Sequence, residues 1–184
     1  MHALNINEDN HSAQLKLAVQ HLESCDARFS DLFRTHGLPK ITVSRNLFLN
    51  LIKSIIFQQL AGSAAQKIFS RFLKVFYPNV NVDENLKGSA AFAVFFNSEN
   101  LVLTPSAVVD IDPQVLKDVG LSGRKVEYVQ GLAKSIISGE LDLENIRAFS
   151  DETVTRQITS IRGLGPWTAD MFKMVDCLFD DMKS

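Results

Sequence analysis

The sequence predicts an all-α protein organised as a single domain, and three observations predict it. Apolar residues recur at helical spacing almost throughout. Prolines and glycines fall where such runs start and stop. The size and make-up, 184 residues with 46% hydrophobic and 22% charged, suit one ordinary globular core that buries roughly 70% of its unfolded surface. No linker or repeat divides the chain, and no apolar run approaches the ~20 residues that span a bilayer. The polar start, Met1 to Asn10, has neither a basic amphipathic pattern nor a signal-type apolar core.

The elements follow in order. His11 to Glu23 is amphipathic, and a short helix near Arg28 to Thr35 ends at Gly37 and Pro39. Leu47, Leu51, Ile52, Ile55 and Ile56 form a strongly apolar helix; Ala64, Ala65, Ile68, Phe69, Phe72 and Phe76 form another, stopped by Pro78. These two are the expected core. Residues 79–100 carry no clear period, and the apolar stretch Ala90 to Phe96 reads equally as a helix turn or an apolar loop. Thr104-Pro105 and Asp112-Pro113 are cap-then-proline helix starts, the second helix closing at Gly120; Gly123 to Ser138 is a further helix with Gly139 past its end.

The last segment, 151–178, reads as helix, hairpin, helix. Ser150 with Asp151 and Glu152 suits a helix start, and Val154, Ile158 and Ile161 share one face before the turn. Trp167, Met171, Met174, Val175 and Leu178 share one face after it. Between them lies Gly163-Leu164-Gly165-Pro166. Both glycines would allow backbone angles that a Cβ resists, Leu164 would turn inward to plug the junction, and Pro166 suits the first helical position. Free amides from Gly165 to Thr168, with the positive end of the helix dipole, would favour a phosphate oxygen. Gly163, Leu164, Gly165, Trp167 and Thr168 are therefore the candidate phosphate grip.

A second candidate lies in Phe57-Gln58-Gln59-Leu60-Ala61, where amides interrupt an apolar sequence between the two core helices. Gln58 and Gln59 either tie the junction to neighbouring backbone or, with Leu60, form a wedge that fills the gap left by an extruded nucleotide. A formal net charge of −2 speaks against a generally basic nucleic-acid surface. An amide-built site needs no basic cluster, and Arg124 and Lys125 add local charge. Lys67, Arg71 and Lys74 are either a solvated face or part of the same surface. Two cysteines, Cys25 and Cys177, are too few for a disulfide framework, a four-thiolate zinc site or a cysteine-ligated iron–sulfur cluster.

Four segments together resemble the helix-hairpin-helix (HhH-GPD) superfamily of DNA glycosylases, in its alkylpurine (3-methyladenine) glycosylase II branch. They are His21 to Phe29, Ile55 to Leu60, Gly120 to Lys125, and Arg162 to Ala169, in the branch's order and spacing. The resemblance implies a two-lobed helical fold with a helix-hairpin-helix motif. It also implies monofunctional base excision repair, in which an alkylated purine is flipped from double-stranded DNA and its N-glycosidic bond hydrolysed by a monomer without a metal or other cofactor. A monovalent cation at the hairpin carbonyls stays open. The place of action would be the nucleus of a eukaryote, or otherwise the cytoplasm and nucleoid.

The same resemblance puts Trp167 and Met171 on the base pocket, although a tryptophan on an apolar helix face is also simply core. Where lyase members carry a Schiff-base lysine, this chain has Trp167. Lys173, six residues further on, falls on another face and is expected to be solvated. The branch's catalytic aspartate follows the tryptophan by roughly twenty residues in a proline-led loop. Asp180 and Asp181 come earlier and without that proline, so Asp181 is either a weak catalytic candidate or part of a solvated tail. On that pattern the chain is expected to be truncated, with the final helices missing. A non-catalytic helix-hairpin-helix DNA-binding module is the competing function.

Overall fold

A computed structural model of the chain describes residues 6–38, 46–80 and 102–176, and every secondary-structure element in them is helical. The apolar stretch Ala90 to Phe96, Cys177, Leu178, Asp180 and Asp181 lie outside the described residues, so the expectations placed on them are not addressed. The chain divides into two compact units: 1–43 with 175–184, and 44–174.

In the first unit α1 spans Ile6–Cys25 and α2 spans Arg28–His36. The first helix is longer at both ends than its amphipathic part, because periodicity marks only those turns that alternate apolar and polar residues. Asp26 punctuates the pair: its carboxylate accepts from the Arg28 amide at 2.9 Å and from the Arg28 guanidinium. That guanidinium, and then the amide, hold the Asp26 carboxyl below the usual carboxylate range. Phe29 and Phe33 stack at 6.0 Å between ring centroids.

The second unit holds the core. Asn46 caps α3 (Leu47–Phe57) by accepting from the Leu49 amide at 3.0 Å. This helix is apolar nearly all round, and Phe48, Leu49, Leu51, Ile52, Ile55 and Ile56 are all buried, as expected of a helix covered on several sides. It packs against α4 (Gly62–Phe76). In α4 Ala65, Phe69, Phe72 and Leu73 face inward, whereas Ala64 is exposed and Ile68 and Phe76 only border the core. That corrects the expected inward set: with 3.6 residues per turn the buried stripe centres on 69 and 72.

The cap-then-proline starts are present. Thr104 accepts from the Ala107 amide at 3.3 Å to open α5 (Pro105–Asp110), and Asp112 accepts from the Gln114 amide at 2.7 Å to open α6 (Pro113–Asp118). Ser122 likewise caps α7 (Gly123–Ile137), which packs against α3, α5 and α6. Gln130 of α7 secures the α5 end by donating to Val108 and Ile111 carbonyls at 3.4 and 3.1 Å. Ser150 accepts from the Thr153 amide at 3.3 Å to start α8 (Asp151–Ser160), and α9 spans Pro166–Asp176. No helix among the described residues is long and apolar enough to cross a membrane.

Candidate nucleic-acid interface

The α8–α9 hairpin is built by one residue in an unusual conformation. Gly163 has φ +96°, and a Cβ there would collide with the Tyr128 ring of α7. Only glycine satisfies both constraints. Gly165 is different from what the sequence suggested: its φ is not in the left-handed region, and a Cβ would meet nothing within 4 Å. Its lack of a side chain keeps the space in front of α9 clear. Leu164 is buried at 5% exposure and plugs the junction.

The backbone donors then sort themselves. The Leu164 amide already donates to the Ile161 carbonyl at 3.0 Å, so it is removed from the expected grip. Pro166 has no N–H. Gly165 O accepts from the Ala169 amide at 3.1 Å, which places Gly165 at the helix cap. The amides of Gly165, Trp167 and Thr168 have no acceptor among the described residues. These three are the orphan donors of the first turn, at the positive end of the α9 dipole.

Trp167 is 68% exposed. The inward face of α9 is made instead by Thr168, Ala169 and Phe172, all buried, with Met171 half-buried. Trp167 is thus not packed into the core of the described residues, and the face it shares with half-buried Met171 is not the fully packed one. Arg162, which sequence reasoning passed over, stands beside these groups with its side chain 78% exposed. It pairs with Glu127 at 3.4 Å and lies over the Tyr128 ring at 5.9 Å. Its sequence signals were a cation next to the glycine turn and its place at the head of the Arg162 to Ala169 segment.

The α3–α4 turn separates its three candidates. Gln58 is a tie: Nε2 donates to Gly163 O at 2.8 Å, across a sequence separation of 105 residues. Gln59 is exposed and adopts φ +54°, and Leu60 is 40% exposed, so these two form the projecting tip. Gln58 therefore leaves the expected wedge. Lys125 changes role as well. Its ammonium donates to Ile56 O at 2.7 Å and Gln58 O at 2.9 Å, satisfying carbonyls at the α3 C-terminus. Burial pushes this lysine below its ordinary value.

Arg124 is exposed, as are Lys67, Arg71 and Lys74 on α4. Lys173 is not solvated as expected: only 20% of its side chain is exposed, and it pairs with Asp170 at 3.2 Å and Asp151 at 4.0 Å. It thus joins the start of α8 to the last turn of α9. Among the described residues no three His, Cys, Asp or Glu side chains are placed to hold a metal ion. The Gly163 carbonyl at the hairpin is taken up by Gln58.

A helical unit whose last two helices are joined by a glycine turn, with amides at the second helix start that have no acceptor among the described residues, defines a helix-hairpin-helix protein. The chain belongs to the HhH-GPD superfamily of base excision DNA repair proteins, whose family model matches residues 52–176. It is 26% identical over 172 residues to DNA-3-methyladenine glycosylase 1 of Schizosaccharomyces pombe, covering 91% of this chain and 66% of that protein. It is 28% identical over 139 residues to YfjP of Bacillus subtilis, whose name groups it with DNA-3-methyladenine glycosylases, covering 76% of this chain and 43% of that one. The fold matches a Schizosaccharomyces pombe 3-methyladenine DNA glycosylase in complex with abasic DNA at a TM-score of 0.65 and 24% identity, over 86% of this chain and 69% of that one. The chain thus spans about half to two thirds of the length of these curated relatives.

Proposed function

We propose that this chain is a monofunctional DNA N-glycosylase of base excision repair that binds double-stranded DNA and removes alkylated purines of the 3-methyladenine type. The observation that carries this assignment is the juxtaposition at the start of α9: three amides with no acceptor among the described residues, an exposed indole and an exposed Arg162 within seven residues of chain. Amides at a helix start bind a phosphate without a basic surface, which reconciles DNA binding with a net charge of −2. The names of the relatives, and the abasic DNA held by the fission-yeast structure, support the same substrate class.

The chemistry suits the residues. Alkylation of a purine ring nitrogen leaves a cationic leaving group, so the site needs chiefly to hold an electron-poor base and stabilise an oxocarbenium-like sugar. An indole face attracts such a cation by about 0.5–2 kcal/mol, and Trp167, with Met171 one turn on, is assigned that role. Arg162 and Arg124 supply further phosphate contacts, and Gln59 with Leu60 fills the gap behind the flipped base. On α9 a lyase mechanism finds no free amine: Trp167 stands where a Schiff-base lysine would be, and the one lysine of the helix, Lys173, has its ammonium engaged with two carboxylates. No residue is assigned as the carboxylate that stabilises the sugar; Asp181, the weak candidate, lies outside the described residues. The protein acts as a monomer wherever the cell keeps its DNA.

Incubation of the purified chain with alkylated duplex tests this directly. Release of free 3-methyladenine supports the enzyme. Salt-sensitive duplex binding with no base release would leave a non-catalytic helix-hairpin-helix module, a function the backbone grip supports by itself. Absence of any salt-dependent duplex affinity would overturn both.

A further inference from the structure

Two exposed turns far apart in sequence are held together through one helix. Gln58 Nε2 donates to Gly163 O at 2.8 Å, and Lys125 Nζ donates to Ile56 O and Gln58 O at 2.7 and 2.9 Å. Gly163 in turn lies against the Tyr128 ring, closely enough to exclude a Cβ. Lys125 and Tyr128 are three residues apart and so are neighbours on one face of α7. Gln58 is the shared member: its carbonyl is gripped from α7 while its amide grips the hairpin. Immediately after it, Gln59 adopts a left-handed φ of +54°, a conformation that persists in a residue other than glycine only where the surroundings over-determine it.

We propose that Lys125 and Gln58 are positioning residues that hold the Gln59–Leu60 tip at a set distance from the α9 amides. This rests on the DNA-binding function proposed above. A duplex gripped at its phosphates by α9 would then meet the tip opposite the gap that an extruded or missing base leaves. The Trp167 and Thr168 amides belong to α9 itself, which the brace does not touch, so removing the brace loosens the two turns and leaves most of the grip in place. Loss should therefore fall on discrimination between abasic and intact duplex, with bulk duplex affinity little changed. An ammonium suits the brace because it offers several donors to carbonyls at the negative end of a helix, where a neutral or apolar group leaves them unpaired.

The test uses the full chain and three variants, Lys125→Met, Lys125→Arg and Gln58→Leu. Without DNA, amide hydrogen exchange should quicken in both turns, at the Leu60 and Leu164 amides, in Lys125→Met and Gln58→Leu alike, with the α7 interior unchanged and Lys125→Arg near wild type. With DNA, the preference for a duplex containing a tetrahydrofuran abasic analogue over an intact duplex should fall about tenfold in the first two variants, with intact-duplex affinity within twofold. Faster exchange confined to the mutated turn, or an equal fall on both duplexes, would overturn the brace. Should Lys125→Met fail to fold, Gln58→Leu decides the matter, since that side chain is half-buried and its apolar replacement is of similar size. If the wild-type chain itself does not bind duplex, the proposed function fails, and the exchange experiment still decides whether the turns are coupled.

Discussion

The two projecting turns of the larger unit solve the same geometric problem by different means. The α8–α9 hairpin reverses at Gly163, whose φ of +96° needs no outside help. The α3–α4 turn reverses at Gln59, φ +54°, a residue that resists the left-handed region by roughly 1–2 kcal/mol. It is held there by bonds from elsewhere, through Gln58 and Lys125. A turn that presents backbone to a ligand can be written into local sequence. A turn that must present a side chain at its tip cannot use glycine there, and its shape is fixed by neighbours.

The sharpest way to break this comparison is Gly163→Ala. A Cβ would add left-handed strain to a collision with Tyr128, for a loss of about 3 kcal/mol, read as a lower midpoint in urea denaturation. A loss under about 1 kcal/mol would mean that Tyr128 yields and the hairpin is not rigid. Gly165→Asp should do the opposite. It meets open space, so stability should stay within about 0.5 kcal/mol, while a carboxylate at the amides lowers duplex affinity on the order of a hundredfold. Unchanged affinity in a filter-binding titration would take the α9 amides out of the interface.

Smaller effects sharpen the contrast. Gln59→Gly relieves the left-handed strain and should stabilise the fold by about 0.5–1 kcal/mol in thermal unfolding, at the expense of abasic-duplex preference. Destabilisation would show that the Gln59 side chain itself holds the turn. Trp167→Ala should change stability by less than about 0.5 kcal/mol, because the ring is mostly exposed. Base release should nonetheless drop, and a large fall in melting temperature would return Trp167 to a structural role.

Much of the architecture was legible in the order of residues. The cap-then-proline starts at Thr104 and Asp112, the Ser150 cap and the inward Leu164 all lie where local rules put them, since each depends on contacts within a few residues. The site was legible in part. Gly163 announced the hairpin, but nothing local separated its conformational role from the empty space in front of Gly165. Trp167 and Met171 share a face by spacing, yet spacing does not say whether that face is covered.

The sequence by itself determined most of the described helices, the capped ends at Thr104, Asp112, Ser122 and Ser150, and the Gly163 turn, because propensity, capping and φ preference act over one or two turns. Only the tertiary structure decided that Gln58 is a tie across 105 residues, that Lys125 grips α3 carbonyls and that Lys173 is paired and largely buried. A charged or amide side chain is compatible equally with solvent, a ligand or a distant carbonyl. Which partner it takes is settled by the packing that brings one within 3 Å or so.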